Sequence, residues 1–195
     1  MAGLPAPLAV TVNGGFGDDF IDGTLVPGAV LILNGNEGND VLKGGAAGDT
    51  INGGDGDDTM VGGGGNNIFD GGAGFDTILI PGTPGDDVID VNQTAAGALV
   101  NTVNGNTQTD TLVLAAGVRT VESARIEAGD GDDLIRVSWL DALGVDAFAN
   151  SLRFDVYGGA AHTRDRLAVV DDGLGDLVLY RKGESDSTGS ITVGP

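Results

Sequence analysis

Across residues 35–79 an apolar residue recurs every nine positions: Leu42, Ile51, Met60, Phe69 and Ile78. Its neighbours alternate around it, as in Thr50-Ile51-Asn52 and Thr59-Met60-Val61. Each such triplet reads as a minimal strand with one side chain turned inward and its neighbours outward. A strand this short does not survive alone. Stacked on copies of itself, it builds a continuous core from single residues, so the nine-residue period predicts a repeat architecture.

The polar positions repeat in the same register. The five units read GNEGNDVLK, GGAAGDTIN, GGDGDDTMV, GGGGNNIFD and GGAGFDTIL. Glycine at the first, second and fourth positions marks a tight turn in each unit and leaves backbone carbonyls free to point at a ligand. The sixth position carries an oxygen side chain every time: Asp40, Asp49, Asp58, Asn67 and Asp76. An oxygen ligand therefore recurs at fixed spacing beside a recurring core residue. Three isolated stretches share the pattern, GGFGDDFID (14–22), GTPGDDVID (82–90) and AGDGDDLIR (128–136), with Asp19, Asp87 and Asp133 at the sixth position.

This pattern resembles the GGxGxDxUx nonapeptide of the repeats-in-toxin (RTX) family, the hemolysin-type calcium-binding repeats. The resemblance implies an all-β fold, a parallel β-roll or β-solenoid in which two units make one coil. It also implies calcium ions between the Gly-rich turns on each side, held by the sixth-position carboxylates and by turn carbonyls. With two units per coil, Asp40, Asp58 and Asp76 stack into one column, and Asp49 with Asn67 into the other. Stacked strands lie ~4.8 Å apart, and two carboxylates at that spacing repel by roughly 3 to 4 kcal/mol at an effective dielectric of about 20. Calcium, which takes several oxygens in a flexible cage, reverses that sign; magnesium demands a strict octahedron and keeps its water.

The expected ligands are therefore Asp40, Asp58 and Asp76 first, then Asp49. Asn67, which offers only a neutral oxygen, follows, with Asp19, Asp87 and Asp133 outside the strict register and without an assured stacked neighbour. The unit at 44–52 has Ala47 where glycine is expected, which leaves its turn geometry open.

Charge agrees with this reading. The 195-residue chain has a formal net charge of −20. Residues 1–118 hold fifteen acids against a single cation, Lys43, whereas the remainder carries fourteen acids and eight bases. Such a field repels phosphate and argues against nucleic acid as a partner. Disorder is the plain alternative for so acidic a chain, but it would not keep an apolar residue in register every nine. With 36 glycines, few aromatics and no cysteine, neither a large conventional core nor disulfides are expected. No apolar stretch approaches the ~20 residues that span a bilayer, and the first residues carry no basic leader.

The chain reads in two parts: 10–92 as the calcium-binding roll and 93–195 as a β-rich extension. Residues 24–33 (TLVPGAVLIL) interrupt the array and suggest a longer strand on the same stack. The second part contains eight β-forming runs, from ALVNTVNG to SITVG. The embedded AGDGDDLIR favours a continued solenoid with longer rungs over a separate small β-sandwich. Residues 138–151 are the one plausible helix.

No HExxH, GxSxG or P-loop signature occurs. His162 stands alone as the only histidine, and the pairs Asp57-Asp58 and Asp132-Asp133 are more simply calcium ligands or solvated acids than catalysts. The arginines of the second part are read as Arg–Asp pairs between rungs, and Trp139, Tyr157 and Tyr180 as core or rim. A non-enzymatic calcium-binding module is expected, folding outside the cell as a structural segment of a larger secreted or surface protein, adhesin or surface-layer-like. The alternative is an accessory domain of a secreted protease, lipase or polysaccharide-modifying enzyme. The chain reads as a fragment of a longer polypeptide. Its expected partners are calcium ions, with neighbouring domains or further copies of the protein beside them.

Overall fold

Two nonapeptides make one coil, and the strand register shows it. In the computed structural model, which describes residues 8–93, 98–115, 118–139, 153–158, 166–170, 177–182 and 189–194, successive strands alternate between two parallel sheets. The array comprises β1 (Ala9–Phe16), β2 (Phe20–Asp22), β3 (Val30–Glu37), β4 (Val41–Lys43), β5 (Thr50–Asp55), β6 (Thr59–Val61), β7 (Ile68–Ala73) and β8 (Thr77–Pro81). Odd-numbered strands stack in one sheet and even-numbered strands in the other. Thr50 lies between Ile32 and Ile68, and Thr59 between Val41 and Thr77, each eighteen residues apart. No helix occurs among the described residues.

The first coil is longer. Ala9 faces Val30 and Phe20 faces Val41, an offset of twenty-one. Residues 24–28 form a turn that absorbs the extra length, with Val26 N–H donating to the Gly23 carbonyl at 3.0 Å. Only from Val30 does the interrupting segment become strand, and β3 is then longer than β5 or β7.

Every eighth-position residue points between the sheets. Leu42, Ile51, Met60 and Phe69 are fully buried and Ile78 is 2 % exposed. Leu31 and Leu33 of β3 widen this core at one end. The five recurring side chains form two facing files, Leu42, Met60 and Ile78 from the even sheet and Ile51 and Phe69 from the odd one, because each nonapeptide contributes one such inward position.

The coil continues beyond the array. Further strands are β9 (Val88–Gln93), β10 (Leu99–Val103), β11 (Asn106–Leu112), β12 (Leu114–Ala115), β13 (Val118–Arg119), β14 (Ser123–Glu127), β15 (Leu134–Trp139), β16 (Arg153–Tyr157), β17 (Arg166–Val170), β18 (Leu177–Lys182) and β19 (Gly189–Gly194). β14 lies parallel on β8, and β15 parallel on β9, at an offset of forty-six residues. β16 and β17 extend the two sheets. The long offset comes from an inserted hairpin: β11 pairs parallel with β7, turns back antiparallel on β10, and β10 pairs antiparallel with β9. Ile89, Val91, Ile126, Ile135, Val137 and Phe154 carry the core through this half.

Arg136 pairs with Asp90 of the neighbouring rung, the inter-rung type of contact expected. Arg153–Asp155 (2.8 Å) and Arg125–Glu127 (2.5 Å) lie within single strands instead. Arg125 also stacks on the Tyr157 ring at 4.6 Å. Of the expected helix, Ser138 and Trp139 belong to β15; the rest of it, and His162, lie outside the described residues.

Candidate metal centre

The coil has two corners. At the first, the chain passes from the odd sheet to the even one through 17–19, 38–40, 56–58 and 74–76; at the second it returns through 44–49 and 62–67. Both use Gly-rich turns and a sixth-position side chain, yet the two sets of side chains find different partners.

At the first corner, each sixth-position carboxylate after Asp19 reaches back one rung. Asp40 Oδ1 accepts the Asp19 N–H at 2.7 Å, Asp58 Oδ1 the Asp40 N–H at 2.8 Å, and Asp76 Oδ1 the Asp58 N–H at 2.9 Å. Fifth-position side chains run the opposite way: Asp18 Oδ1 accepts from Asn39 N–H, Asn39 Oδ1 from Asp57 N–H, and Asp57 Oδ1 from Phe75 N–H. These bonds satisfy turn N–H groups that no strand pairing reaches. The second oxygen of each sixth-position acid has no such use. Asp19, Asp40, Asp58 and Asp76 each carry a buried Oδ2 without a hydrogen-bond partner.

Those oxygens lie against the first-position glycines. A Cβ placed on Gly53 would collide with Asp58 Oδ2 and would sit 2.5 Å from the Gly71 carbonyl oxygen of the next rung. Gly35 meets Asp40 Oδ2 and the Gly53 carbonyl in the same way. Only glycine leaves this cradle open, and its lining is one carboxylate oxygen and one carbonyl oxygen per rung. The turn also bends through positive φ at the second and fourth positions, 124° at Gly54 and 133° at Gly56, where a side chain is strained.

Burying unpartnered carboxylate oxygens disfavours their charge. Burial pushes the Asp58 carboxyl up to about 6 and the Asp76 carboxyl up to about 7, with the neighbouring acids of the column adding to it. The N–H groups donated by Asp40 and Asp58 oppose the shift and do not overcome it.

At the second corner, protein groups take up the corresponding atoms. Asp49 Oδ1 accepts the Leu31 N–H and its Oδ2 the Gly45 N–H, both at 2.7 Å. Asn67 Oδ1 accepts the Asp49 N–H at 2.9 Å, which fixes the amide orientation and turns Nδ2 toward Gly62. That NH2 donates to Asp110 Oδ1 at 3.0 Å, while Asn101 Nδ2 serves Asp110 Oδ2 at 2.8 Å. A nitrogen donor thus stands where the first corner presents a bare oxygen. Asp110 belongs to no nonapeptide; the hairpin β10–β11 delivers it, and burial pushes its carboxyl upward.

Asp19, Asp87 and Asp133, read from sequence as lacking assured neighbours, are all stacked. Asp19 starts the first-corner column, because the turn at 24–28 absorbs the extra residues without shifting the register of β2 on β4. Asp87 N–H donates to Asp133 Oδ1 at 2.8 Å, since β9 and β15 pair directly across the inserted segment. Asp87 itself is held by Thr83 N–H, Thr83 Oγ1 and Asn104 Nδ2 at 2.5–2.8 Å. Sequence reasoning missed Asp110 and Glu122, whose Oε2 accepts the Asp76 N–H at 2.8 Å. Neither sits in a motif.

Among the described residues no three acids, histidines or cysteines gather at one point; acidic oxygens come singly from each rung, with carbonyls between. That all-oxygen donor set, its buried free oxygens and its open glycine cradle fit a hard divalent cation.

Comparison with protein families bears on the same stretch. The model of the RTX calcium-binding nonapeptide repeat matches in four copies, over residues 9–25, 32–60 and 43–78. No curated protein and no solved structure matches the chain. RTX nonapeptide repeats bind Ca2+ and are a structural module. The stretch from 9 to 78 is thus built of RTX calcium-binding nonapeptide repeats, wound into a parallel β-roll.

Proposed function

We propose that calcium binds along the first corner, between the turns that carry Asp19, Asp40, Asp58 and Asp76, and that the roll folds as it binds. The observation that supports this reading most is the column of buried Oδ2 atoms without partners. Without a cation each is a desolvated charge beside another; with one, each becomes a ligand. Asp49, Asn67, Asp87 and Asp133 contribute to the stack chiefly through hydrogen bonds to backbone N–H groups.

The three intervals of this column, each with a dissociation constant of about 0.1 mM as in extracellular modules, would at about 2 mM calcium add on the order of 5 kcal/mol by mass action. That is comparable with the whole stability of a small domain. At sub-micromolar calcium the contribution vanishes. The chain is then loose inside a cell and ordered outside it, which suits a structural segment of a secreted or surface protein, and RTX repeat proteins are typically secreted. Among the described residues no helix is long and apolar enough to cross a membrane.

Far-UV circular dichroism of the chain in EDTA and in millimolar calcium tests this. Strand signal should appear with calcium and vanish on chelation. Equal spectra in the two conditions would refute it.

A further inference from the structure

The first-corner column does not stop where the repeats stop. The last nonapeptide ends at Leu79 and the family match at residue 78, yet the turn carrying Asp76 has a further rung stacked on it. Glu122 Oε2 accepts the Asp76 N–H at 2.8 Å, the bond that Asp76 itself makes to Asp58. Ser123 N–H donates to the Asp76 carbonyl at 3.0 Å, as Thr77 N–H does to the Asp58 carbonyl. A Cβ on Gly71 would collide with the Thr120 carbonyl oxygen and Asp76 Oδ2, as one on Gly53 meets the Gly71 carbonyl and Asp58 Oδ2.

Thr120 therefore stands in for a first-position glycine and Glu122 for a sixth-position aspartate, two residues apart instead of five. The antiparallel pair β12–β13 immediately precedes Thr120. Asp76 is wholly buried and its Oδ2 has no partner. None of the ion pairs among the described residues involves Asp76 or Glu122.

We infer that Asp76, the Thr120 carbonyl and Glu122 form a further divalent-cation site, outside the nonapeptide motif, which clamps β14 and the coil beyond it onto the calcium-bound array. The inference rests on the proposed first-corner binding and extends it by one interval. A neutral side chain would cap the Asp76 N–H equally well. An acid placed next to a free buried carboxylate oxygen is accounted for when a cation lies between them. The longer side chain of glutamate spans the distance that the shortened turn leaves.

Calcium titration calorimetry and hydrogen exchange on the full chain test it, using Glu122→Gln, Glu122→Asp and Asp58→Asn. Glutamine keeps an acceptor for the Asp76 N–H and removes the charge. Glu122→Gln should bind one ion fewer than wild type, and the amides of Ser123–Glu127 should lose their calcium-induced protection while those of β4 and β6 keep it. Glu122→Asp should restore the ion with weaker affinity. Wild-type stoichiometry in Glu122→Gln, alongside a loss in Asp58→Asn, would make Glu122 a plain cap and overturn the inference alone. The same loss in both Glu122 variants would also overturn it, since charge would then be irrelevant. A wild-type chain that takes up no calcium would instead overturn the reading beneath it.

Discussion

The two corners of the roll are built from the same nonapeptide and have opposite needs. At the first corner, Asp40, Asp58 and Asp76 each offer a backbone N–H group one oxygen, and these three and Asp19 leave Oδ2 buried and without a hydrogen-bond partner. At the second, Asp49, Asn67 and Asp110 form a closed hydrogen-bond chain, in which an amide separates two carboxylates. One corner keeps buried oxygens without a hydrogen-bond partner. The other is complete as it stands. The motif alone does not distinguish them; which neighbour each oxygen meets does.

The sharpest test is a change of sign. Asp58→Asn keeps an acceptor for the Asp40 N–H but removes a buried charge. In EDTA it should leave more residual strand signal than wild type, and in calcium it should lower the denaturation midpoint, with the calcium midpoint for folding moved up by about tenfold or more. Asp49→Asn should barely move the calcium midpoint. If both variants shift it equally, the corners are equivalent and the comparison fails.

The reverse experiment comes next. Asn67→Asp restores the consensus residue but sets a carboxylate against Asp110 and removes the Nδ2 donor that Asp110 uses. A loss of about 1–3 kcal/mol in urea denaturation at saturating calcium is expected. A gain would show that the second corner wants charge after all.

Proton linkage gives a smaller effect. The folded-state values of Asp58 and Asp76, about 6 and about 7, exceed the ordinary 3.8. The metal-free folded chain therefore holds protons that the unfolded chain has released, and its stability should fall as pH rises from about 4 to about 7. Calcium competes for the same oxygens, so its affinity should rise over that window. Asp76→Asn should flatten the slope in EDTA, and an unchanged slope would discredit the buried-charge account. The smallest effect belongs to Arg136→Ala, an exposed pair between rungs, for which the midpoint should hardly move and the small difference from wild type should shrink with added salt.

Much of this was legible in the repeat. A nine-residue period with one apolar residue per unit dictates stacked minimal strands, and Leu42, Ile51, Met60, Phe69 and Ile78 are the core it foretold. The eighteen-residue column of Asp40, Asp58 and Asp76 follows from the same arithmetic. Asp19 was harder, because register across 24–33 depends on a turn absorbing three residues. Asp87 and Asp133 were harder still, being forty-six residues apart and joined only by the pairing of β9 with β15.

The sequence by itself determined the coil, its core of one apolar residue per unit and the column of acids, because a period is a local property that any stack of equal units must express. Tertiary structure alone decided which acids remain without partners. Asp110 comes from an inserted hairpin, Glu122 from beyond the last repeat, and the orientation of the Asn67 amide from a bond to Asp49. Asp49 Oδ2 is satisfied within its own unit by the Gly45 N–H, but the groups that meet Asn67, Asp76 and Asp110 come from distant parts of the chain, and no spacing rule within the repeat encodes them.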